Sequence, residues 1–162
     1  MSIYNFQLII QHLTFYLSAH FRFAKYLDSI LESRILVLTS DSSRNSEDEL
    51  IRSAAIQKDQ SSQKYILEAL KEYGEALRLG LKHVFQALPR FLTLWFELTG
   101  ISVTDKSLDG FSLNQDKANE VVADYIRSIP SVAYYSVLPQ LISRVAHPDE
   151  DTVTVVTAIL KR

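Results

Sequence analysis

The sequence predicts an all-α chain built as an α-solenoid of antiparallel helix pairs. Apolar residues recur at steps of three and four along most of its 162 residues, the period of a helix with one buried face. Gly and Pro number only four each, too few for the many turns of an all-β fold. The helical segments follow one another with mostly short connections, as pairs stacked in a line require. Hydrophobic residues make up 47% and charged residues 22%, enough apolar material for a core. The whole of 1–162 reads as a single helical-repeat segment.

A first helix is expected over about 3–18 and a second over about 21–38, where Phe23, Leu27, Ile30, Leu31 and Ile35 form an apolar stripe. Residues 39–46 (TSDSSRNS) are short and polar and read as a loop. Ser46 with Glu49 has the spacing of a capping box, so a third helix should open there and carry Leu50, Ile51, Ala54 and Ala55. Residues 59–63 either break this helix or lie on its polar face. The longest periodic run is 62–86, with Ile66, Leu70, Tyr73, Leu77 and Leu81 on one stripe and Ala69, Ala76, Val84 and Phe85 beside it. Gly74 and Gly80 weaken this run as helix-interior residues but would let a neighbouring helix come close.

Pro89 suits a first helical turn, and Gly100 suits the position just past a helix end. Between them Phe91, Leu92, Leu94, Trp95, Phe96 and Leu98 surround the helix, which should be buried on several sides. Residues 101–113 read as a loop. A sixth helix is expected over about 114–129, with Asn114 as N-cap, Asp116 in the first turn and Val121, Val122, Tyr125, Ile126 and Ile129 inward. Pro130 should stop it. A seventh covers 134–146 with Pro139 near its start, and His147-Pro148 breaks it. Asp149-Glu150-Asp151 opens an eighth that ends at Lys161-Arg162, acid and base each placed to suit the helix dipole.

Net charge is −2, and Lys and Arg are scattered singly, which argues against direct nucleic-acid binding. With no Cys there is no disulfide, thiolate nucleophile or Cys-type zinc site. Residues 3–19 are apolar, but Asn5, Gln7, Gln11 and His12 interrupt them and no basic residue precedes them. A buried helix is therefore expected rather than a signal peptide or membrane span. Arg90 and Glu97 interrupt 88–103 in the same way.

Phosphate loops, zinc-protease motifs and nucleophile elbows are absent. His12, His20, His83 and His147 are too far apart to suggest a metal set, and each reads as a surface or core histidine. Asp149-Glu150-Asp151 could hold a cation but reads better as helix-start electrostatics. Trp95 with Phe91 and Phe96 could line a ligand pocket but reads better as core. Ser62-Gln63 matches a two-residue phosphorylation signal that chance supplies often. No catalytic, cofactor-binding or metal-ligating residue is assigned, and no cofactor, small molecule or membrane partner is expected.

The second half carries a more specific pattern. Arg90-Phe91-Leu92-Thr93-Leu94-Trp95-Phe96-Glu97-Leu98-Thr99-Gly100 follows a "Y…AL" helix, and Leu138-Pro139-Gln140-Leu141-Ile142-Ser143-Arg144-Val145-Ala146-His147-Pro148 follows further on. These blocks resemble the "R…LWLE.SG" and "PL..QL.SRI.HP" segments late in the FAT domain of phosphatidylinositol-3-kinase-related kinases, nearest the ATR checkpoint branch. Phe23-Ala24-Lys25-Tyr26-Leu27-Asp28 is similar to the "LARF.D" helix of that branch. The resemblance covers about 20–162 and is weaker over 1–19. It implies TPR- or HEAT-like repeats that cradle the lobes of a nuclear serine/threonine kinase in DNA-damage signalling. The implied partners are those kinase lobes and the flanking repeats, or a second copy of the chain. None of these residues corresponds to the kinase motifs, so the chain is expected to be a non-catalytic fragment that ends ahead of the kinase domain. A free-standing helical adaptor for another protein is the alternative.

Overall fold

In the computed structural model, residues 3–40, 48–101 and 109–162 are described. The helices are α1 (Ile3–Thr39), α2 (Asp48–Lys58), α3 (Gln60–Leu79), α4 (Val84–Thr99) and α5 (Asp109–Ile126). A 3₁₀ stretch (Ser131–Val137) runs into the short α6 (Leu138–Ile142), and α7 (Glu150–Leu160) closes the series. No strand occurs among the described residues.

The helices form three stacked pairs. In the first, α3 lies antiparallel to α1: Asp59 meets Arg34, Tyr73 meets Asp28, and Glu72 meets His20. In the second, α5 lies antiparallel to α4, with Asn119 on Trp95 and Gln115 on the Leu98 carbonyl. In the third tier α7 packs on α5 and the 3₁₀ stretch with α6 packs on α4, where Gln140 donates to Thr93. The second members run parallel: Gln63 and Glu75 of α3 meet Asn114 and Tyr125 of α5. Asn119 of α5 meets Thr152 of α7, and Ile126 meets Arg162 beyond the end of α7. Such stacking of antiparallel pairs is the solenoid architecture, with α2 inserted beside the first pair. One apolar core runs through it, centred on Leu31, Ile66, Leu70, Leu88, Phe91, Leu92, Trp95 and Val122.

Several expected boundaries move. The first two helices are one, because nothing at Ala19-His20 breaks the backbone ladder. Phe23 faces solvent, while Leu17, Phe21, Ala24, Leu27, Leu31 and Ile35 form the buried stripe. The Ser46 capping box lies outside the described residues. The break expected somewhere in 59–63 is at Asp59, whose carboxylate accepts from the Ser62 amide at 2.9 Å and so starts α3.

The long run 62–86 is two helices. Gly80 takes φ 157° and ψ 177°, a backbone only glycine adopts readily, and ends α3. Leu81 and Phe85 are therefore exposed, whereas Val84 is buried at the start of α4. Pro89 sits inside α4 rather than opening it. Its missing N–H leaves the carbonyl of the solvent-facing Phe85 unpaired in the ladder, where water can serve it. Gly100 caps α4 in a right-handed conformation, its N–H donating to the Phe96 carbonyl at 2.8 Å.

The sixth expected helix starts earlier and ends earlier, as α5 over Asp109–Ile126. Residues 109–113 are thus helical rather than loop, Asn114 is interior, and Asp116 lies beyond the first turn. The chain leaves the helix before Pro130, with Tyr134 Oη donating to the Ile126 carbonyl at 3.1 Å. The expected helix over 134–146 is mostly 3₁₀ and turn, with only Leu138–Ile142 α-helical. Asp149-Glu150-Asp151 opens α7 as expected, and the structure makes Asp149 its cap, accepting from the Thr152 amide at 2.7 Å.

Candidate functional site

Two polar clusters tie the pairs together. The first joins α1, α2 and α4. Asp28 and Glu32 lie one helical turn apart on α1, and Arg90 of α4 reaches both, at 2.6 and 2.7 Å. Arg52 of α2 grips Glu32 with both terminal nitrogens, at 2.8 and 2.7 Å, and reaches Glu97 at 3.0 Å. Tyr73 Oη points at Asp28 from 3.4 Å. Three carboxylates thus meet two guanidinium groups with bidentate geometry, the strong form of such pairing. The Arg52 hydrogen bonds, working against partial burial, hold Glu32 below the usual carboxylate range. Burial and the Asp28 charge push the Tyr73 hydroxyl well up, so it stays protonated.

The second cluster joins α4, α5 and α7 around Asn119. Trp95 Nε1–H donates to Asn119 Oδ1 at 2.8 Å, and Thr152 Oγ1–H donates to the same oxygen at 3.1 Å. Asn119 Nδ2–H donates to Asp149 at 3.0 Å. Although burial opposes it, bonding from Thr152 and Asn119 keeps the Asp149 carboxylate below its ordinary range. Trp95 is fully buried, so it is core and not a pocket wall. Asp149 is committed to its helix and to Asn119.

Ser62 and Gln63 are also buried. Ser62 Oγ donates to Asp59, and Gln63 donates to the Ile56 and Gln57 carbonyls at the end of α2. Ser62-Gln63 is therefore a joint between α2 and α3, closed to a modifying enzyme in the folded chain. The described histidines do not come together. His20 pairs with Glu72 on one face, His83 stacks on Phe21, and His147 lies against Phe96. Among the described residues no group of three or more His, Cys, Asp or Glu has metal-binding geometry. No described helix is long and apolar enough to cross a membrane.

The sequence did not single out Asn119 or Arg52. Asn119 stands among polar neighbours and Arg52 follows Leu50-Ile51, and only the packing of α5 on α4 and of α2 on α1 brings them inward. Their one legible signal is position: Asn119 sits on the same helix face as the buried Gln115, Ala118 and Val122.

What remains accessible is apolar surface at the ends. Along α1, Leu13, Phe15 and Tyr16 lie exposed on one side, and Leu36, Val37 and Leu38 are exposed towards its other end. Tyr135, Ile142 and Val145 are exposed beside α6.

Residues 117–162 match the family described as the HEAT repeats of ATR-like serine/threonine-protein kinases. Over 98 residues, 59% of the chain, it is 37% identical to serine/threonine-protein kinase ATR of Arabidopsis thaliana, covering 4% of that protein. It is 27% identical over 143 residues, 88% of the chain, to the Drosophila melanogaster protein of the same name, covering 5% of it. The Oryza sativa subsp. indica protein, again serine/threonine-protein kinase ATR, is 35% identical over 97 residues, 56% of the chain and 3% of that protein. The chain thus spans only about a twentieth or less of these relatives. No solved structure matches it. Over these stretches the chain is similar to ATR-like serine/threonine-protein kinases.

Proposed function

We propose that this chain is a scaffold segment of an ATR-like serine/threonine kinase, from the late FAT region, acting in nuclear DNA-damage checkpoint signalling. Its work would be mechanical: to hold the lobes of a kinase domain in register against flanking helical repeats. The observation that carries this reading is the similarity to ATR kinases across 88% of the chain in one relative. The uncovered apolar patches on α1 and beside α6 support it, because a segment inside a longer array has both ends covered. The two polar clusters suit the role, since cross-helix bidentate pairs fix the relative angle of the pairs they join.

The test uses the natural gene product that contains this chain. Phe15→Asp with Val37→Asp places charge on two exposed patches without touching the core. Serine/threonine kinase activity of the purified product should fall, while the doubly substituted 162-residue chain alone keeps the parent's melting temperature. A product with no kinase reading frame and no associated kinase activity would favour a free-standing adaptor instead.

A further inference from the structure

A groove of about 190 Å³ lies between α2, α4 and α6. Its lining includes Arg52, Thr93, Phe96, Glu97, Gln140 and Arg144. Arg144 sits over the Phe96 ring, its guanidinium carbon 5.3 Å from the centroid. It forms no ion pair with any described residue, and its Nε–H is buried without an acceptor. The Nε–H of Arg52 is also buried without an acceptor, while its other nitrogens serve Glu32 and Glu97.

A third donor stands beside these two. His147 is 8% exposed, and its Nδ1 accepts the Asp149 amide N–H at 3.2 Å. The imidazole proton therefore sits on Nε2, which is buried and has no acceptor either. His147 packs against Phe96, and its Nε2 approaches Gly100 of the groove wall. Arg144 and His147 thus both pack on Phe96, and each carries a buried N–H without an acceptor, as does Arg52 on the same groove wall. A buried donor without an acceptor is costly, so each of these groups is better served when something accepts from it. Glu97 does not fill that need, because its carboxylate is already turned to Arg52 at 3.0 Å and Arg90 at 3.7 Å.

We propose that this groove is an oxyanion site that takes one phosphate or carboxylate group. A guanidinium placed over an aromatic ring and paired with no carboxylate is preorganised for planar or tetrahedral oxyanions. The volume admits a single such group and not a large polyanion. The anion closes the open side of the joint between α2, α4 and α6. It arrives either as a free ion or as a phosphorylated or acidic side chain of a partner segment.

Inorganic phosphate is the first probe, titrated into the full chain at constant ionic strength with chloride as the reference. The melting temperature and the emission of Trp95, which stacks on Phe96 at 4.7 Å, both report on the groove. Phosphate should raise the melting temperature in a saturable way. Arg144→Gln should abolish the rise, and Arg144→Lys should weaken binding about tenfold by losing the planar fork. Arg127→Gln, a surface control, should leave the rise intact. Arg144 has no ion pair to lose, so in chloride the Gln variant should melt below the parent only by what the Phe96 contact contributes. A short neutral peptide with one phosphoserine separates the sources. Tighter binding than free phosphate assigns the site to a partner's side chain, and equal binding assigns it to the free ion. Phosphate acting no differently from chloride, or acting equally on Arg144→Gln, would overturn the proposal.

Discussion

Trp95 concentrates several effects in one side chain. It is fully buried, stacks on Phe96, and anchors Asn119 and through it α7. Trp95→Ala should cost about 3–5 kcal/mol, the range for large aromatic deletions in cores. Chemical denaturation measures this directly, and a blue-shifted emission maximum in the parent checks the burial. Titration acts at two other residues. Burial, helped by the nearby Arg144 charge, holds His147 below the ordinary histidine value. The unfolded chain then binds a proton that the folded chain refuses, so stability falls as pH drops below about 6.5. Hydrogen bonds from Arg34 and Ser62 hold Asp59 well below the usual carboxylate range. Its contribution is present at neutral pH and fades as pH falls below about 4, where the unfolded carboxyl takes up a proton first. Melting temperature against pH should decline in two stages, and His147→Gln should shrink the upper one, to which His83, also held low by burial, contributes. A profile unchanged between pH 7 and 5 in the parent would rule out that role for His147.

Glycines set the limits and spacing of the elements. Gly80 ends α3 in a conformation that strains any other residue, and a methyl group there would also press on Leu17. Gly80→Ala should destabilise by about 1–3 kcal/mol. Gly74 has an ordinary helical backbone, but a Cβ there would overlap the Tyr125 ring, which lies flat on α3 and donates to Glu75 at 2.9 Å. Gly74→Ala should therefore displace α5 or turn Tyr125 outward. Loss of the Tyr125–Glu75 bond would follow, and a double-mutant cycle with Tyr125→Phe reads it. Full additivity in that cycle would contradict the contact. Among ion pairs, Arg90→Met leaves Asp28 and part of Glu32 uncompensated. About 2–3 kcal/mol should be lost, less than for a fully buried pair because a quarter of the Arg90 side chain is exposed. Equal stability of this variant would show that the cluster orients α1 and α4 without stabilising them.

At the scale of the molecule, the exposed apolar patches decide behaviour in solution. Leu13, Phe15 and Tyr16 at one end, with Tyr135, Ile142 and Val145 at the other, are surfaces that an internal repeat would cover. The isolated chain should self-associate with rising concentration. Sedimentation velocity from micromolar upward measures this, and Phe15→Asp should shift the equilibrium towards monomer. A clean monomer at high concentration that binds no apolar dye would favour the self-sufficient adaptor.

The all-α class, the helix-pair stacking, the buried Trp95 and the acidic start of α7 were all legible in the residues. Each rests on a local rule: periodicity, scarcity of Gly and Pro, an acid at a helix start. Tertiary structure alone decided where helices join and end. Continuity of α1 through His20 is supported by α3 packing along it, with Glu72 gripping His20, and no local signal states that. Pro89 inside α4 is tolerated because the carbonyl it leaves unpaired faces water beside an exposed Phe85, which depends on the helix's orientation in the stack. The Asn119 hub and the Arg52–Arg90 cluster each gather residues from three helices distant in sequence. Periodicity reports which face of a helix is buried. It does not report which polar residues on two such faces will meet, because that depends on the register and angle at which whole helices pack.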